Sequence, residues 1–155
     1  MAKGQSNGRF WAMLCHFSTW LGFLLPGFSL IAPLIVWGLK RDQDSLIADN
    51  GRNVINFILS FWLYSLGLFF IFGFIFLFLM IPFINIMAAL GFLFWGSCAL
   101  VYGIIYFAVQ IIFPLYGGIK AFNGEVYRYP LTVSFLKEAT PNQKTRKSLA
   151  KSNQG

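Results

Sequence analysis

A single histidine is the only ionisable side chain within the two long uncharged tracts of this sequence. His16 lies in the tract between Arg9 and Lys40, and no charged residue lies between Arg52 and Lys120. An imidazole surrounded by apolar residues can relay protons or take part in transport across a membrane. A lone histidine near a helix start more often bonds to lipid headgroups or to backbone. We therefore expect a structural role for His16.

Side-chain amides are the other polar groups in these tracts. Asn56 and Gln110 lie near opposite ends of the second tract, and Asn85 lies near its middle. Amides commonly bridge helices in a membrane, where each such bond contributes about 0.6–2 kcal/mol. If the tract folds back on itself, Asn56 and Gln110 come to the same membrane face. We expect them to meet there.

The patterns that catalysis requires are missing from the sequence. It has no phosphate-binding glycine loop, no HExxH and no nucleophile elbow. Three of the five acidic residues fall between Lys40 and Arg52, which leaves little material for paired-carboxylate chemistry. Cys15 and Cys98 sit in apolar tracts without partners at metal-ligand spacing, so they are interpreted as small buried hydrophobes. The sequence predicts no catalytic residue, no metal site and no cofactor.

The composition of the chain indicates that it folds in a membrane. Of its 155 residues 57% are hydrophobic and only 11% are charged, against about 25% charged in a typical soluble domain. Both uncharged tracts exceed the roughly 20 residues that a spanning helix needs. Within residues 68–78 every position but Gly73 is apolar, which excludes the alternating pattern of a barrel strand. The chain is predicted to be an all-α membrane protein, with no cleavable signal peptide at its start.

Proline divides the first membrane segment, residues 10–39. Pro26 and Pro33 each remove a backbone donor and clash with the preceding turn, so the helix is expected to kink or break. Two alternatives remain open. The segment is either one long kinked span or a re-entrant hairpin with limbs at 10–25 and 28–39, the second limb being too short to cross alone.

Two further segments are predicted to form a long antiparallel helical hairpin. The first runs over about 54–80, with Asp49 or Asn50 as its N-terminal cap. The second runs over about 86–116 and is ended by Pro114 and the glycines that follow. The turn between them contains Pro82 and Asn85. This organisation gives three to four membrane segments in total.

Small residues on the last segment indicate a packing face. Ala99 and Gly103 form a small-xxx-small pair that permits close helix approach, within the monomer or with another chain. The predicted regions are an N-terminal cytoplasmic segment (1–9), a membrane domain (10–119), an interfacial cytoplasmic segment (120–138) and a basic disordered tail (139–155).

The basic residues predict the orientation. Ten of the twelve Lys and Arg residues fall in the loop after the first segment or in the C-terminal region, and such residues stay on the cytoplasmic side. The C-terminus is therefore expected to be cytoplasmic, in a bacterial inner membrane. Residues 131–135 alternate apolar and polar side chains, a weak strand-like or interfacial pattern. The basic tail is expected to contact anionic lipid headgroups, and no nucleic-acid partner is expected.

Short motifs at both ends of residues 11–137 resemble one bacterial family. They are WAMLCHFS at 11–18, APLIVW at 32–37, KRD at 40–42, DNG at 49–51, NF at 56–57, GIKA at 118–121, NGE at 123–125 and YPL at 129–131. The family comprises small multi-pass membrane proteins of unknown function. It is related to the twenty-kilodalton subunit of the chloroplast inner-envelope import (Tic) translocon and to some magnetosome membrane proteins. The resemblance implies three or four membrane segments and draws emphasis, without any catalytic role, to His16, Pro33, Asn56, Gly124, Tyr129 and Pro130.

These patterns favour a non-catalytic membrane protein that acts in assembly, scaffolding or translocation with another membrane protein or with further copies of itself. The alternative is a small-solute channel or transporter, which would need a polar pathway. His16 and the scattered amides offer few polar groups for such a pathway. A lipid-modifying enzyme would require a cluster of acids or histidines.

Overall fold

The computed structural model describes residues 2–25, 27–80 and 87–137. These residues form four α-helices and one short 3₁₀ helix, with no β-strand among them. The predicted all-helical fold class is confirmed. Three features predicted from the sequence lie outside the described residues: the break at Pro26, the turn with Pro82 and Asn85, and the basic tail 139–155.

The first helix tightens at its end. Helix α1 (Ala2–Phe17) passes directly into a 3₁₀ helix (Ser18–Phe23). The hydroxyls of Ser18 and Thr19 donate to backbone carbonyls of α1 three residues earlier, at 2.9 and 2.8 Å. Side-chain bonds of this kind compete with the α-helical pattern, and 3₁₀ geometry commonly closes a helix.

Helix α2 (Phe28–Lys40) returns alongside α1. The ammonium of Lys40, at the end of α2, lies 4.7 Å from the centre of the Trp11 ring. At the other end of α2, a Cβ added to Gly22 would lie 2.5 Å from the Cβ of Ser29. The first segment therefore folds back on itself, as in the hairpin alternative, and a glycine permits the close approach.

Helix α3 (Ser45–Met80) begins well before the predicted position 54. The Oδ1 atom of Asp44 accepts a hydrogen bond from the backbone N–H of Leu46 at 2.9 Å, so Asp44 occupies the capping position. The assignment of Asp49 or Asn50 as the cap was wrong, because both lie inside the helix.

Two prolines lie inside helices. Pro33 is buried within α2, and Pro114 is buried within helix α4 (Met87–Phe122). The prediction that Pro114 ends the last helix was wrong. A proline deprives the carbonyl four residues earlier of its helical donor, and that carbonyl belongs to Gln110. The indole N–H of Trp20 donates to it at 3.1 Å, so α4 continues without an unpaired acceptor.

The hydrophobic core lies at one end of the molecule. We call this end the basal bundle: α1, the 3₁₀ helix, α2, residues 45–61 of α3 and residues 106–122 of α4. The buried core contains side chains from α1, α3, α4 and the segment after α4, namely Ala12, Cys15, Ile47, Val54, Phe57, Ile58, Ala121 and Tyr129. The burial expected for Cys15 is confirmed, whereas Cys98 is only half-buried.

The other parts of α3 and α4 form an apical hairpin, defined here as residues 62–80 and 87–105. The Tyr102 hydroxyl donates to Ser65 Oγ at 2.6 Å, and the Trp95 ring lies edge-on to Phe72 and Phe76. The predicted antiparallel pairing is therefore confirmed. Both α3 and α4 are long and apolar enough to cross a membrane, and their most apolar windows are almost entirely exposed. Exposure of that kind is not a property of core helices in a soluble protein.

Ala99 and Gly103 have different surroundings. Ala99 is exposed and lines a groove between α3 and α4 together with Phe69 and Phe72, whereas a Cβ added to Gly103 would meet nothing within 4 Å. A role of this pair in helix packing stays a prediction.

Candidate functional site

A left-handed glycine turns the chain back after α4. Gly124 has φ +88°, and its N–H donates to the carbonyl of Ala121, while the N–H of Glu125 donates to that of Lys120, each at 3.0 Å. This pair of bonds is the Schellman arrangement, which favours glycine at the left-handed position. An ion pair of 2.9 Å joins Lys120 to Glu125 across the turn. We call residues 123–137, which follow, the C-terminal loop.

The C-terminal loop climbs along α3 and then returns. Its tip is Leu131, which has φ +56° and whose carbonyl accepts a bond from the Tyr64 hydroxyl at 2.9 Å. The returning limb bonds to Ser60 through Val133. The alternating pattern at 131–135 therefore belongs to an extended segment that pairs with side chains of a helix. It has no strand partner among the described residues.

A stripe of polar side chains on α3 holds this loop. Its members are spaced three or four residues apart, which places them on one face of the helix. They bond mainly to the backbone of the loop. We call them the polar stripe: Asn50, Asn53, Asn56, Ser60 and Tyr64.

Asn50 is the most heavily bonded member of the stripe. Its amide nitrogen donates to the carbonyls of Leu46 and Glu125 at 3.0 and 3.2 Å. Its Oδ1 atom accepts from the backbone N–H of Tyr127 at 3.0 Å and contacts Nε2 of His16 at 3.1 Å. Two donors and two acceptor positions are all engaged, and the backbone partners fix which end of the amide is oxygen.

Asn56 pairs with a single backbone unit of the loop. Its amide nitrogen donates to the carbonyl of Leu136 at 3.0 Å, and its Oδ1 atom accepts the N–H of the same residue at 2.8 Å. This two-bond pairing resembles one rung between antiparallel strands. Asn53 donates to the carbonyl of Tyr127 at 2.8 Å. This bond holds the first limb of the loop, which leads up to Leu131, against α3.

His16 joins α1 to both the stripe and the loop. It is fully buried, with Nδ1 2.6 Å from the Tyr129 hydroxyl and Nε2 3.1 Å from Asn50 Oδ1. A carbonyl oxygen can only accept, so Nε2 carries a proton and donates to Asn50. In the neutral ring Nδ1 is then an acceptor, and the Tyr129 hydroxyl donates a hydrogen bond to it. The expectation that His16 bonds to headgroups or backbone was wrong, since its partners are two buried side chains.

Burial keeps both partners of this bond neutral. It lowers the pKa of His16, in α1, from 6.5 to about 4, although the bond to Asn50 opposes that shift. It raises the pKa of the Tyr129 hydroxyl well above its usual value. The Tyr129 ring also stacks on Phe57, with centroids 4.2 Å apart and planes at 13°. The loop is therefore held by ring packing as well as by hydrogen bonds.

Two adjacent glycines let α1 lie directly on α4. A Cβ added to Gly117 would lie 2.6 Å from Nδ1 of His16, and one added to Gly118 would lie 2.6 Å from the Phe17 ring. The sequence assigned these glycines to the end of the last helix, which was wrong. Their role in the structure is to admit the histidine and its neighbour.

The predicted pairing of Asn56 with Gln110 was also wrong. Both ends of the Asn56 amide are bonded to Leu136, and the Gln110 amide donates to the hydroxyl of Tyr106 at 3.4 Å. Of the other predicted residues, His16 bonds to Tyr129, and Gly124 and Pro130 lie in the same C-terminal loop, which Asn56 contacts through Leu136.

Sequence reasoning missed most of the polar stripe. Asn50 was considered only as a cap, and Asn53, Ser60 and Tyr64 were not considered. A signal was present, because polar residues recur at helical spacing along this part of α3. Their loop partners lie more than 60 residues away, and no local pattern predicts that pairing.

The polar groups of the site form hydrogen bonds with one another. Among the described residues, no buried side-chain nitrogen or oxygen lacks a hydrogen-bond partner. Within the same residues, no group of three or more His, Cys, Asp or Glu side chains is placed to hold a metal ion. The arrangement is suited to clamping the C-terminal loop against α1 and α3.

A family model described as the magnetosome magnetite crystal formation protein family matches residues 7–136. The matched region includes every residue of the polar stripe, His16 and nearly all of the C-terminal loop. No curated protein matches the chain. No solved structure matches it either.

Proposed function

Since the chain belongs to the magnetosome magnetite crystal formation protein family, we propose that it is a non-catalytic membrane protein of the magnetosome. Its role is to assemble with other membrane subunits, or with further copies of itself, where the mineral forms. The family description indicates the process, which is the formation of magnetite crystals. The geometry of the chain supports a structural role within it.

One contrast within the molecule carries this proposal. The buried polar groups of the basal bundle are saturated by internal bonds, whereas large apolar side chains cover the apical hairpin on all sides, among them Phe69, Phe74 and Phe92. Polar groups that are already hydrogen-bonded to one another are not available to a substrate. Exposed apolar helices need lipid or protein partners. The molecule is therefore equipped for packing in a membrane rather than for chemistry.

In this proposal the apical hairpin crosses the bilayer. Each of its arms is about 28 Å long at about 1.5 Å per residue, close to the roughly 30 Å of a hydrocarbon core. The α1–α2 hairpin enters from the basal side and returns without crossing. The described charged residues lie at the basal end, and we place that end in the cytoplasm. The host membrane is the cytoplasmic membrane or one derived from it.

Complementation in a magnetite-forming bacterium tests the proposed role. The strain lacks its own members of the family, and the chain is restored from a plasmid. We expect crystal number and size, measured by electron microscopy, to return toward those of the parent strain. Unchanged crystals on restoring a chain that is present in the membrane would contradict the proposal.

A pair of glycine variants tests whether packing of the apical hairpin matters. Gly103→Leu adds bulk to the apical hairpin, and Gly38→Leu adds the same bulk to α2. A Cβ at either position meets nothing within 4 Å, so both chains are expected to fold. Only the apical variant should fail to complement. Equal complementation by both would contradict assembly through this face.

Transport is the alternative function, and reconstitution separates it from assembly. A channel requires a polar path, yet the amides of Asn50 and Asn56 are engaged with the loop. We expect purified protein in liposomes to pass no protons or small cations above the background of empty liposomes. Flux that depends on the protein and is abolished by His16→Ala would favour the transporter.

A further inference from the structure

The α1–α2 hairpin turns back beside the middle of α3. At its turn, the Phe23 ring stacks on Phe107 of α4, with centroids 4.9 Å apart. The preceding residue of α4, Tyr106, contacts Phe61 of α3, with ring centroids 5.1 Å apart. The turn of the hairpin therefore lies at the height of residue 61 of α3.

The C-terminal loop turns back at nearly the same height. The carbonyl of Leu131, at its tip, accepts the bond from Tyr64. Tyr64 lies only three residues beyond Phe61 along α3, which is a rise of about 4.5 Å. Two segments that are far apart in the sequence thus end together, just where the apical hairpin begins.

The opposite ends of both segments also share one height. The indole N–H of Trp37, in the last turn of α2, donates to the carbonyl of Ala48 at 2.9 Å. Near the start of the loop, the carbonyl of Glu125 accepts from Asn50 at 3.2 Å. From these contacts to the two turns, α3 rises about 20 Å at about 1.5 Å per residue. This height is about half of the roughly 40–45 Å of a bilayer with its headgroups.

The turns are apolar, and the opposite ends are charged. Leu24 at the turn of the hairpin is 77% exposed, and Leu131 at the tip of the loop is 86% exposed. The other ends carry Lys40 and the ion pair between Lys120 and Glu125. Exposed leucines are stabilised by lipid, and charged groups by water and headgroups. Both segments are therefore suited to enter the bilayer from the basal side and to end near its middle.

This arrangement makes the molecule broader in one leaflet than in the other. On the basal side, which we call the basal leaflet, α1, α2 and the loop lie beside α3 and α4. Of the described residues, only those of the apical hairpin continue beyond the two turns. Each helix is about 10 Å across, so the basal leaflet accommodates a much wider body. Insertion into one side of a bilayer is sensitive to curvature, and such a body fits best where its broad side lies in a convex leaflet.

We infer that the protein concentrates in curved membranes whose convex side is the basal leaflet, and that the acyl chains of this leaflet cover the two turns. The inference rests on the proposed placement of the apical hairpin in the bilayer. It does not depend on the role in crystal formation.

Depth-dependent fluorescence quenching tests the insertion. Single cysteines at Val133→Cys, Val126→Cys or Ile71→Cys carry the label, in a full chain whose two natural cysteines are replaced by alanine. The two valines belong to the same loop and are 41% and 43% exposed, but Val133 lies beside Ser60 and Val126 follows Glu125 at the charged end. Vesicles contain lipids with a nitroxide on the acyl chain.

We expect this nitroxide to quench the labels at 133 and 71 but not the label at 126. Equal quenching at the two valines, or quenching at 71 alone, would overturn the inference while the placement of the apical hairpin stands. A label at 71 that is not quenched would overturn both.

Thin tubes pulled from giant vesicles test the preference for curvature. The full chain carries a dye at Asp42→Cys, and an impermeant quencher added outside separates molecules with the basal end outward from those with it inward. In tubes of about 20 nm radius we expect outward molecules to be enriched about twofold over a lipid dye and inward molecules to be depleted. Equal distribution of the two populations would overturn the inference.

A matched pair of double variants connects the enrichment to the turns. Leu24→Asp/Leu131→Asp places acids at the two turns, and Leu39→Asp/Val126→Asp places the same charge near the opposite ends of the same segments. All four side chains are exposed, so both variants are expected to fold, which circular dichroism verifies. An acid is costly in hydrocarbon, so only the turn variant should lose the enrichment. Equal enrichment of the two variants would contradict insertion of the turns.

Discussion

At the scale of single residues, Asn50 connects three distant parts of the chain. Its amide contacts α1 through His16 and the C-terminal loop through Glu125 and Tyr127. Each partner is a buried or half-buried polar group that has exchanged water for this one side chain. Removing the amide would leave several donors and acceptors without partners, and such groups are costly in a protein interior.

We predict that Asn50→Ala lowers the free energy of unfolding by about 3 kcal/mol or more. Asn53→Ala, on the same face of α3, removes one hydrogen bond to the loop and should cost about 1 kcal/mol. Unfolding by sodium dodecyl sulfate from mixed micelles measures both changes. Equal losses in the two variants would show that Asn50 has no special position.

His16 should make stability depend on pH. Its pKa lies near 4 in the folded chain, against 6.5 for a free imidazole. Between these values the unfolded chain binds the extra proton, so stability is complete above pH 6.5 and falls as the pH is lowered toward 4. The loss is up to about 1.4 kcal/mol per pH unit in this window.

The matched variant for this prediction is His16→Gln, which cannot titrate. The quantity to compare is the slope of unfolding free energy against pH, not the stability at one pH. The variant should be flatter between pH 4 and 6.5 than the natural chain. Identical slopes would assign the pH dependence to the carboxylates.

Residue type alone predicted part of the candidate site. His16 and Asn56 were singled out because polar groups are rare in the apolar tracts, and Gly124, Tyr129 and Pro130 followed from a family resemblance. Their partners were not predictable. The bond between His16 and Tyr129 spans 113 residues, and the amide pair assumed for Asn56 was replaced by a backbone unit of the loop. Sequence shows which groups need partners but not which surfaces meet.

At the scale of helices, element type was predicted well and boundaries poorly. The long antiparallel pair and the division of the first tract both follow from hydrophobic length and proline position. The start of α3 was misplaced although its cap is local, since Asp44 accepts a hydrogen bond from the N–H of Leu46, two residues further along the chain. The continuation of α4 past Pro114 depends on a tertiary bond, because Trp20 donates to the carbonyl that the proline leaves free. That second bond cannot be inferred from local propensity.

The crossing of α1 over α4 should be sensitive to side-chain volume. We predict that Gly117→Val lowers the free energy of unfolding by about 1–3 kcal/mol, because its side chain would overlap His16 and Tyr127. Gly103→Val in the same helix meets nothing within 4 Å and should change stability by less than about 1 kcal/mol. Denaturation in micelles measures both. A larger loss for Gly103→Val would contradict the crossing.

At the scale of the whole molecule, charge and apolar surface are separated. The described charged side chains lie at the basal end, and the apical hairpin carries none. The family match supports the resemblance to magnetosome membrane proteins, while the relation to the import translocon stays a prediction. From this distribution of charge we predict that the basal end faces the cytoplasm.

Labelling of a single cysteine tests this orientation. We predict that Asp42→Cys, in a chain whose two natural cysteines are replaced by alanine, reacts with an impermeant maleimide only after the cytoplasmic membrane of spheroplasts is opened. Asp42 is highly exposed, so a lack of access reflects the membrane rather than the fold. Labelling in intact spheroplasts would place the basal end outside.

The clamped loop also affects how the protein is made. Asn50, Asn56 and His16 leave the ribosome long before residues 125–136, and all three bond to that late segment or to Tyr129 within it. Until those residues are synthesised, these side chains lack the partners that they have in the finished chain. A chain stopped before residue 125 would keep them without those partners, and we expect it to be less stable than the full chain.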